Sequence, residues 1–493
     1  MRILIYGINY APEITGIGKY TSEMCEWLRQ QGHEIRVVTA PPYYPKWEVA
    51  EGYRGWQYKQ ETIADIKLYR CPLWVPSQLT GAKRLLHLFS FAITSLPVIL
   101  WQGLWWRPDL VWLVAPTLFA VPGAWLAAAI GGAKSWLHIQ DFEVDAAFDL
   151  GILSGKFRRS LVCGLERWLL RRFDRVSSIT TKMVQRLRHK RLDQRKLLLF
   201  PNWVDTSQIY PLRYPRHPNP LRKQLGIPAN KTVVLYSGNM GRKQGLEIAI
   251  EAAHQLQQEA LASSSSLRSI QAEPQQTPSA QGKFEPRSVQ LETPIELHSN
   301  STADVQVAGE IMFILCGDGM MKGHLQHRAE QLGLNNVKFL PLQPIEQLNN
   351  LLNLADIHIL PQKADVSDQV MPSKLAGILA CGGAVVATAH PNTELANVVT
   401  AAGGQVCPPE NVNCFTKGIK YLATNRQART EIKRCARQYA INHLDRRKIL
   451  SDFERELQKL CAMLGTEMPG QSSDQRQDTK NKLTSAQPPR NYY

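Results

Sequence analysis

No two of the nine cysteines form a C-x-x-C pair, and their number is odd, so neither a zinc ribbon nor a disulfide framework is indicated. They read as reduced thiols of a cytosolic chain. No Asp-x-Asp pair occurs, which removes one common carboxylate arrangement for Mg²⁺ or Mn²⁺, and no metal is expected. Zinc-finger spacing, an aromatic RNA-binding signature and a basic heptad zipper are all absent, so nucleic acid is not an expected partner despite a formal charge of +16. The amino terminus offers four apolar residues between Arg2 and Gly7, too few for the apolar core of a signal peptide. Leu85 to Trp106 is the only stretch of membrane length, and His87, Ser90, Thr94, Pro97 and Gln102 interrupt it. Contact with a membrane surface is expected of it rather than a span. Tryptophan is missing after Trp203 although the chain has twelve, so the two halves are built for different surroundings.

What is present is a chain of 493 residues, 44% hydrophobic, enough for two cores. Short β-branched runs at Ile3–Tyr6, Ile35–Thr39, Leu110–Val114, Ser135–Gln140 and Val176–Ile179 alternate with helix-period segments. The pattern resumes at Val233–Ser237, Met312–Cys316, Val337–Leu340, Ile357–Leu360 and Ala384–Thr388. Nearly continuous apolar strands belong to parallel sheets covered on both faces, so the predicted class is α/β with two doubly wound, Rossmann-like domains. Pro211, Pro215, Pro218, Pro220 and Pro228 punctuate the break between them. The expected domains are 1–205, facing the acceptor side, and 206–444. Within the second, 257–309 is Ser/Gln/Pro-rich and reads as a disordered insertion, and 465–493 reads as a tail of the same kind. From Lys156 to Lys196 fourteen Lys or Arg stand against Glu166, Asp174 and Asp193. Behind a Trp-rich apolar stretch, such a segment suits an anionic membrane surface.

Chemistry-bearing residues gather where strands end. Gly16 and Gly18 lie in GINYAPEITGIGKY, between the first strand and a helix, where backbone amides and a helix amino terminus can meet an anion. The spacing is not G-x-G-x-x-G directly after a strand, which counts against a nicotinamide-dependent oxidoreductase. His138 and Asp141, with Asp145 beyond, fall at the carboxyl end of a buried strand, where ligands of this architecture bind. SGNMGRKQGLE sets Gly238, Arg242 and Lys243 between a strand and a helix, a composition suited to a diphosphate. Gly317 in CGDG, and Ser373 and Lys374 in MPSKLAGILACGG, repeat the arrangement.

On these motifs, together with TAPPYYPKW, LHIQDFEVDA, FPNWVD and the TEL at Thr393 to Leu395, the chain resembles the GT-B retaining glycosyltransferases of family four from Met1 to about Leu464. Within them it is similar to the colanic acid biosynthesis glycosyltransferases. The resemblance implies a cleft between two domains, with a nucleotide-sugar donor, GDP-fucose by preference, held by the second and a lipid-linked or polysaccharide acceptor by the first. It also implies a closing helix, 445–464, crossing back to the first domain. Gly16 would then face the donor phosphates and His138 the transferred sugar, with Glu394 near the donor. In the wider family an Arg and a Lys that clamp the diphosphate fall on Asn239 and Gln244, and a glutamate pair falls on Gln369 and Gly377. Arg242, Lys243 and Lys374 are the expected substitutes. A sugar-nucleotide epimerase and a non-catalytic membrane scaffold are the other classes compatible with this composition, and the enzyme is expected to work at the inner face of the cell membrane.

Overall fold

The computed structural model describes residues 1–13, 16–77, 80–115, 118–142, 156–212, 219–271, 311–365 and 372–462. Two sheets organise them. The first holds β1 (Arg2–Tyr6), β2 (Glu34–Thr39), β3 (Lys59–Ile63), β4 (Ile66–Arg70), β5 (Leu110–Ala115), β6 (Lys134–Ile139), β7 (Arg175–Ser178) and β8 (Leu197–Leu199). Their order is β3-β4-β2-β1-β5-β6-β7-β8, and only the β3–β4 pair is antiparallel. The second sheet holds β9 (Thr232–Ser237), β10 (Ile311–Cys316), β11 (Val337–Leu340), β12 (Ile357–Leu360), β13 (Ala384–Thr388) and β14 (Gln405–Cys407). It runs β11-β10-β9-β12-β13-β14, parallel throughout. In each sheet the strand order reverses beside the first strand, β1 or β9, and crevices for ligands form at such a point, outside the carboxyl ends of the strands.

The central strands are buried on both faces, as in β5, where all six residues are buried, because helices cover the sheet on either side. On one face of the first sheet lies the Gly81–Trp101 helix, whose His87, Leu88, Phe91, Ser95 and Ile99 are buried. Tyr6 on β1 meets it through Phe91, with ring centroids 5.6 Å apart, and through a 2.6 Å hydrogen bond to Ser95. On the other face Ile3, Ile5, Trp112 and Trp136 pack with the Gly16–Gln30 helix and with Ile449, Leu450, Phe453, Leu457 and Leu460. Those last five belong to the Arg446–Ala462 helix, so the end of the chain returns to the first domain. His33 to Glu454, at 3.2 Å, and Arg446 to Asp205, at 2.8 Å, fasten it there.

The structure corrects one boundary. The Glu247–Gln271 helix carries fifteen residues into the stretch expected to be a disordered insertion. Gln257 is fixed there, its amide donating to the Gly333 carbonyl and its Oε1 accepting from Asn335. The remainder of the insertion, from residue 272 to 310, and the tail from 463 lie outside the described residues.

Candidate active site

The loop after β1 is organised around a carboxylate. Glu13 is only 6% exposed and accepts hydrogen bonds from Asn9 Nδ2 at 2.9 Å and from the backbone amides of Tyr43 and Tyr44 at 3.0 and 3.1 Å. Burial raises its pKa and these donors pull it back. Gly18 lies against Glu13, and Gly16 adopts a left-handed φ of +62° beneath the Tyr44 ring, a conformation side-chain-bearing residues rarely adopt. Arg70, buried and paired with Glu61 at 2.8 Å, holds the same loop by donating to the Ala11 and Ala40 carbonyls. The glycines were legible in the sequence. Glu13 and Arg70 were not singled out, because their roles come from contacts dozens of residues away.

At the carboxyl end of β6, Asp141 is exposed to the cleft yet crowded by protein. Desolvation raises its pKa, while Arg84 and Lys243 draw it down. Lys243 comes from the second domain, so the carboxyl edges of the two sheets face each other here. The expectation for His138 is corrected. It is 2% exposed, stacked on Trp112 at 5.4 Å and edge-on to Phe200 at 5.1 Å, with Nδ1 2.9 Å from Ser177 Oγ. Desolvation lowers its pKa to about 3. This is a neutral core imidazole; Ile139 and Gln140 after it are buried too, and the chain first becomes exposed at Asp141, three residues on. Asp145 lies outside the described residues.

In the second domain two glycine turns abut. The Gly238 amide donates to the Cys316 carbonyl at 2.9 Å, and a Cβ at Gly317 would stand 1.9 Å from the Gly238 carbonyl oxygen, so only glycine fits. Into this edge comes Lys374, the first residue of the Lys374–Ala380 helix, with Ser373 exposed at the cap. Its ammonium donates to Tyr236 Oη at 2.7 Å and lies 4.0 Å from the centre of that ring, and a Cβ at Gly238 would be 3.0 Å from it. No carboxylate contacts it among the described residues, and desolvation lowers its pKa to about 7. Tyr236, missed from the sequence because it reads as one more apolar strand residue, is the platform.

Arg242 and Lys243 sit on an exposed turn after Gly241. Neither position where the wider family was expected to carry a cation supplies one. Gln244 Oε1 accepts from the Gly241 amide at 3.0 Å, and the Asn239 carbonyl accepts from Tyr236 Oη at 2.5 Å. Glu394 opens the Glu394–Ala401 helix just after β13, capped by Thr393, and its charge acts on Tyr439. Gln369 is outside the described residues.

Two α/β domains meeting at the carboxyl edges of their sheets are the architecture of the GT-B class of sugar-transferring proteins. Models of two families match the chain: a glycosyl transferase 4-like domain over residues 15–203 and glycosyl transferases group 1 over residues 298–439. It is 40% identical over 463 residues, 93% of this chain and 100% of the relative, to the "Putative colanic acid biosynthesis glycosyl transferase WcaI" of Escherichia coli (strain K12). The chain therefore belongs to the family-four glycosyltransferases. Solved structures share the fold at low identity. Sucrose-phosphate synthase from Thermosynechococcus elongatus has TM-score 0.63 at 14% identity, covering 94% of this chain and 100% of its own. Anabaena HepE in complex with UDP and glucose has TM-score 0.58 at 15% identity, with 93% and 100% covered.

Proposed function

We propose that the protein transfers a sugar, with retention of anomeric configuration, from a nucleoside-diphosphate sugar in the cleft to a lipid-linked or growing polysaccharide acceptor of exopolysaccharide synthesis. The observation that carries the reading is Lys374, an ammonium without a carboxylate partner among the described residues, set against the abutting turns at Gly238 and Gly317. A departing diphosphate supplies the missing negative charge, and stabilising that charge is where such a site lowers the barrier. Arg242 and Lys243 add cations from the neighbouring turn, Ser373 and Glu394 open helices at the same edge, and the Gly16–Gly18 loop faces from the first domain. Asp141, across the cleft from Lys243 and coupled to its charge, is the carboxylate we assign to the transferred sugar.

The acceptor and membrane side rests on the first domain. Leu86, Phe89, Ile93 and Leu96 form an exposed apolar stripe on the Gly81–Trp101 helix, continued by Trp105 at 71% exposure. By length and composition Gly81–Trp106 could cross a bilayer, but its other face is bound to the sheet through Phe91 and Ser95. A helix so held lies in the interface plane, at the cytoplasmic face of the membrane. Arg172 stacks on Trp125 and Trp168 beside it, within the segment rich in Lys and Arg. A cavity of about 770 Å³ lined by Trp47, Trp56 and Trp74 borders the same helix at Ser90 and Thr94, a fitting place for an acceptor joined to a lipid.

The test is a screen of UDP-, GDP- and ADP-sugars for thermal stabilisation, since a ligand at a hundred times its Kd adds about 2.7 kcal/mol. GDP-fucose, favoured by the sequence resemblance, and UDP-glucose, bound in a structure of Anabaena HepE, belong in it. Stabilisation by one nucleotide's sugars supports the reading, and a flat response to all of them counts against it.

A further inference from the structure

At the opposite end of the second sheet lies a cavity of about 860 Å³ that the transfer reaction does not use. Its walls come from the amino ends of strands: Asp356 stands just before β12, and Gly382 and Gly383 just before β13. The donor edge is at the carboxyl ends, a strand of four or five residues away, roughly 13–17 Å. One wall is a single face of the Arg426–His443 helix, carrying Arg426, Arg429, Lys433, Arg434 and Arg437, and Arg222 faces them. Among the described residues six cations line the cavity against one carboxylate, Asp356.

Most of these cations are committed. Arg437 donates to the Thr206, Ile209 and Ala380 carbonyls, Arg429 to those of Leu422 and Ala423, Arg434 to Glu431, and Arg222 to the Lys231 carbonyl. Lys433 and Arg426 are not. Among the described residues neither side chain has a hydrogen-bond or ion-pair partner, and they stand seven positions apart on one helix face, two turns, close enough for two long side chains to converge. The Lys433 ammonium is partly buried and desolvated, which pushes its pKa down; Asp356 pulls it up and Arg429 pushes it further down. Asp356 is itself occupied, accepting from the Val233 amide at 3.0 Å.

We propose that this cavity is a second anion site, taking a phosphate-bearing small molecule, a phosphate ester or diphosphate, on Lys433 and Arg426. A single carboxylate would leave most of the positive excess unbalanced, whereas a phosphate ester carries close to two negative charges and three acceptor oxygens. The volume is in the range of small-molecule pockets and far exceeds one inorganic ion. Because Arg437 ties the cavity wall to Thr206 and Ile209, the ligand would sit beside the segment joining the two domains.

The probe is inorganic pyrophosphate, titrated by calorimetry into the full chain without divalent metal, for the parent, a Lys433→Met/Arg426→Gln variant and a Lys374→Ala variant. The parent should bind at two sites. Lys433→Met/Arg426→Gln should lose one of them, or bind there at least tenfold more weakly, as expected when a charge-assisted contact is removed. Lys374→Ala should keep that site, so failure of the donor reading alone would appear as a parent with one site, still abolished by Lys433→Met/Arg426→Gln. Neither change should unfold the chain, because among the described residues Lys433 and Arg426 have no hydrogen-bond or ion-pair partner and Lys374 has one hydrogen bond, to Tyr236 Oη, and a cooperative melting transition without ligand checks this. Pyrophosphate binding identical in the parent and in Lys433→Met/Arg426→Gln overturns the proposal.

Discussion

If Lys374 grips the donor diphosphate, binding must be linked to a proton. In the free protein desolvation by its surroundings lowers the pKa from the ordinary 10.5 to about 7, with Tyr236 Oη as the only hydrogen-bond partner among the described residues. A bound diphosphate places negative charge beside the ammonium and restores a value near the ordinary one. Above pH 7 the free protein must then take up a proton to bind. With a free value of about 7, the protonated fraction falls from half at pH 7 to about 3% at pH 8.5, so Kd for UDP or GDP should weaken roughly fifteenfold over that interval. Calorimetry in two buffers of different ionisation enthalpy should show nearly one proton taken up per ligand at pH 8.5. Lys374→Arg should flatten the dependence because a guanidinium stays charged, and Lys374→Ala should lower transfer by about 10²–10³. The ligand-free fold behaves oppositely. Between pH 7 and 10.5 the unfolded chain holds the lysine proton that the folded one releases, so stability rises with pH across that window. Nucleotide affinity that is flat from pH 7 to 8.5, with no proton uptake, would refute the role of Lys374.

Four further outcomes are expected. Gly317→Ala should cost about 3 kcal/mol or more in thermal unfolding, since its Cβ would lie 1.9 Å from the Gly238 carbonyl oxygen. Deleting residues 272–306 should leave the melting temperature close to the parent's, loop length being a weak thermodynamic term, whereas deleting 257–306 also removes the Gln257 bonds and should cost about 1–3 kcal/mol. His138→Asn should lessen acid sensitivity. The parent's buried imidazole stays neutral down to about pH 3 while the unfolded chain protonates near 6.5, so its contribution is complete above 6.5 and is lost as pH falls towards 3, by up to about 1.4 kcal/mol per pH unit. Phe89→Asp/Ile93→Asp should abolish flotation with anionic vesicles, and salt near 1 M should release much of the parent, because screening shortens the reach of exposed charges to about 3 Å.

The strands that sequence reveals are those buried on both faces. β1, β5, β9, β10 and β13 each read as an apolar run, and their ends fall within a residue of the predicted ones. β3 escapes because KQETI is a polar edge, and β8 and β14 because three residues carry no period. Apolar period alone also misled about the Glu247–Gln271 helix: at Gln257 it is held by polar contacts to Gly333 and Asn335. The glycine turns and the helix start at Lys374 were legible because turn geometry and helix starts leave local marks. His138 was misjudged for the reason that its chemistry is local but its burial is not. Trp112 and Phe200, which enclose it, come from other strands and loops. Glu13 and Tyr236 act through partners that only the folded chain brings near.

The central claim is retaining transfer from a nucleotide sugar, and the configuration of the new bond tests it most directly. The measurement is NMR of the product formed by purified protein from whichever isotopically labelled donor the screen selects and a lipid-linked saccharide acceptor. The account predicts a glycosidic linkage with the same anomeric configuration as the donor, formed by the parent and reduced about 10²–10³ in Lys374→Ala. A product of inverted configuration, or release of the free sugar with no new glycosidic bond, would contradict it.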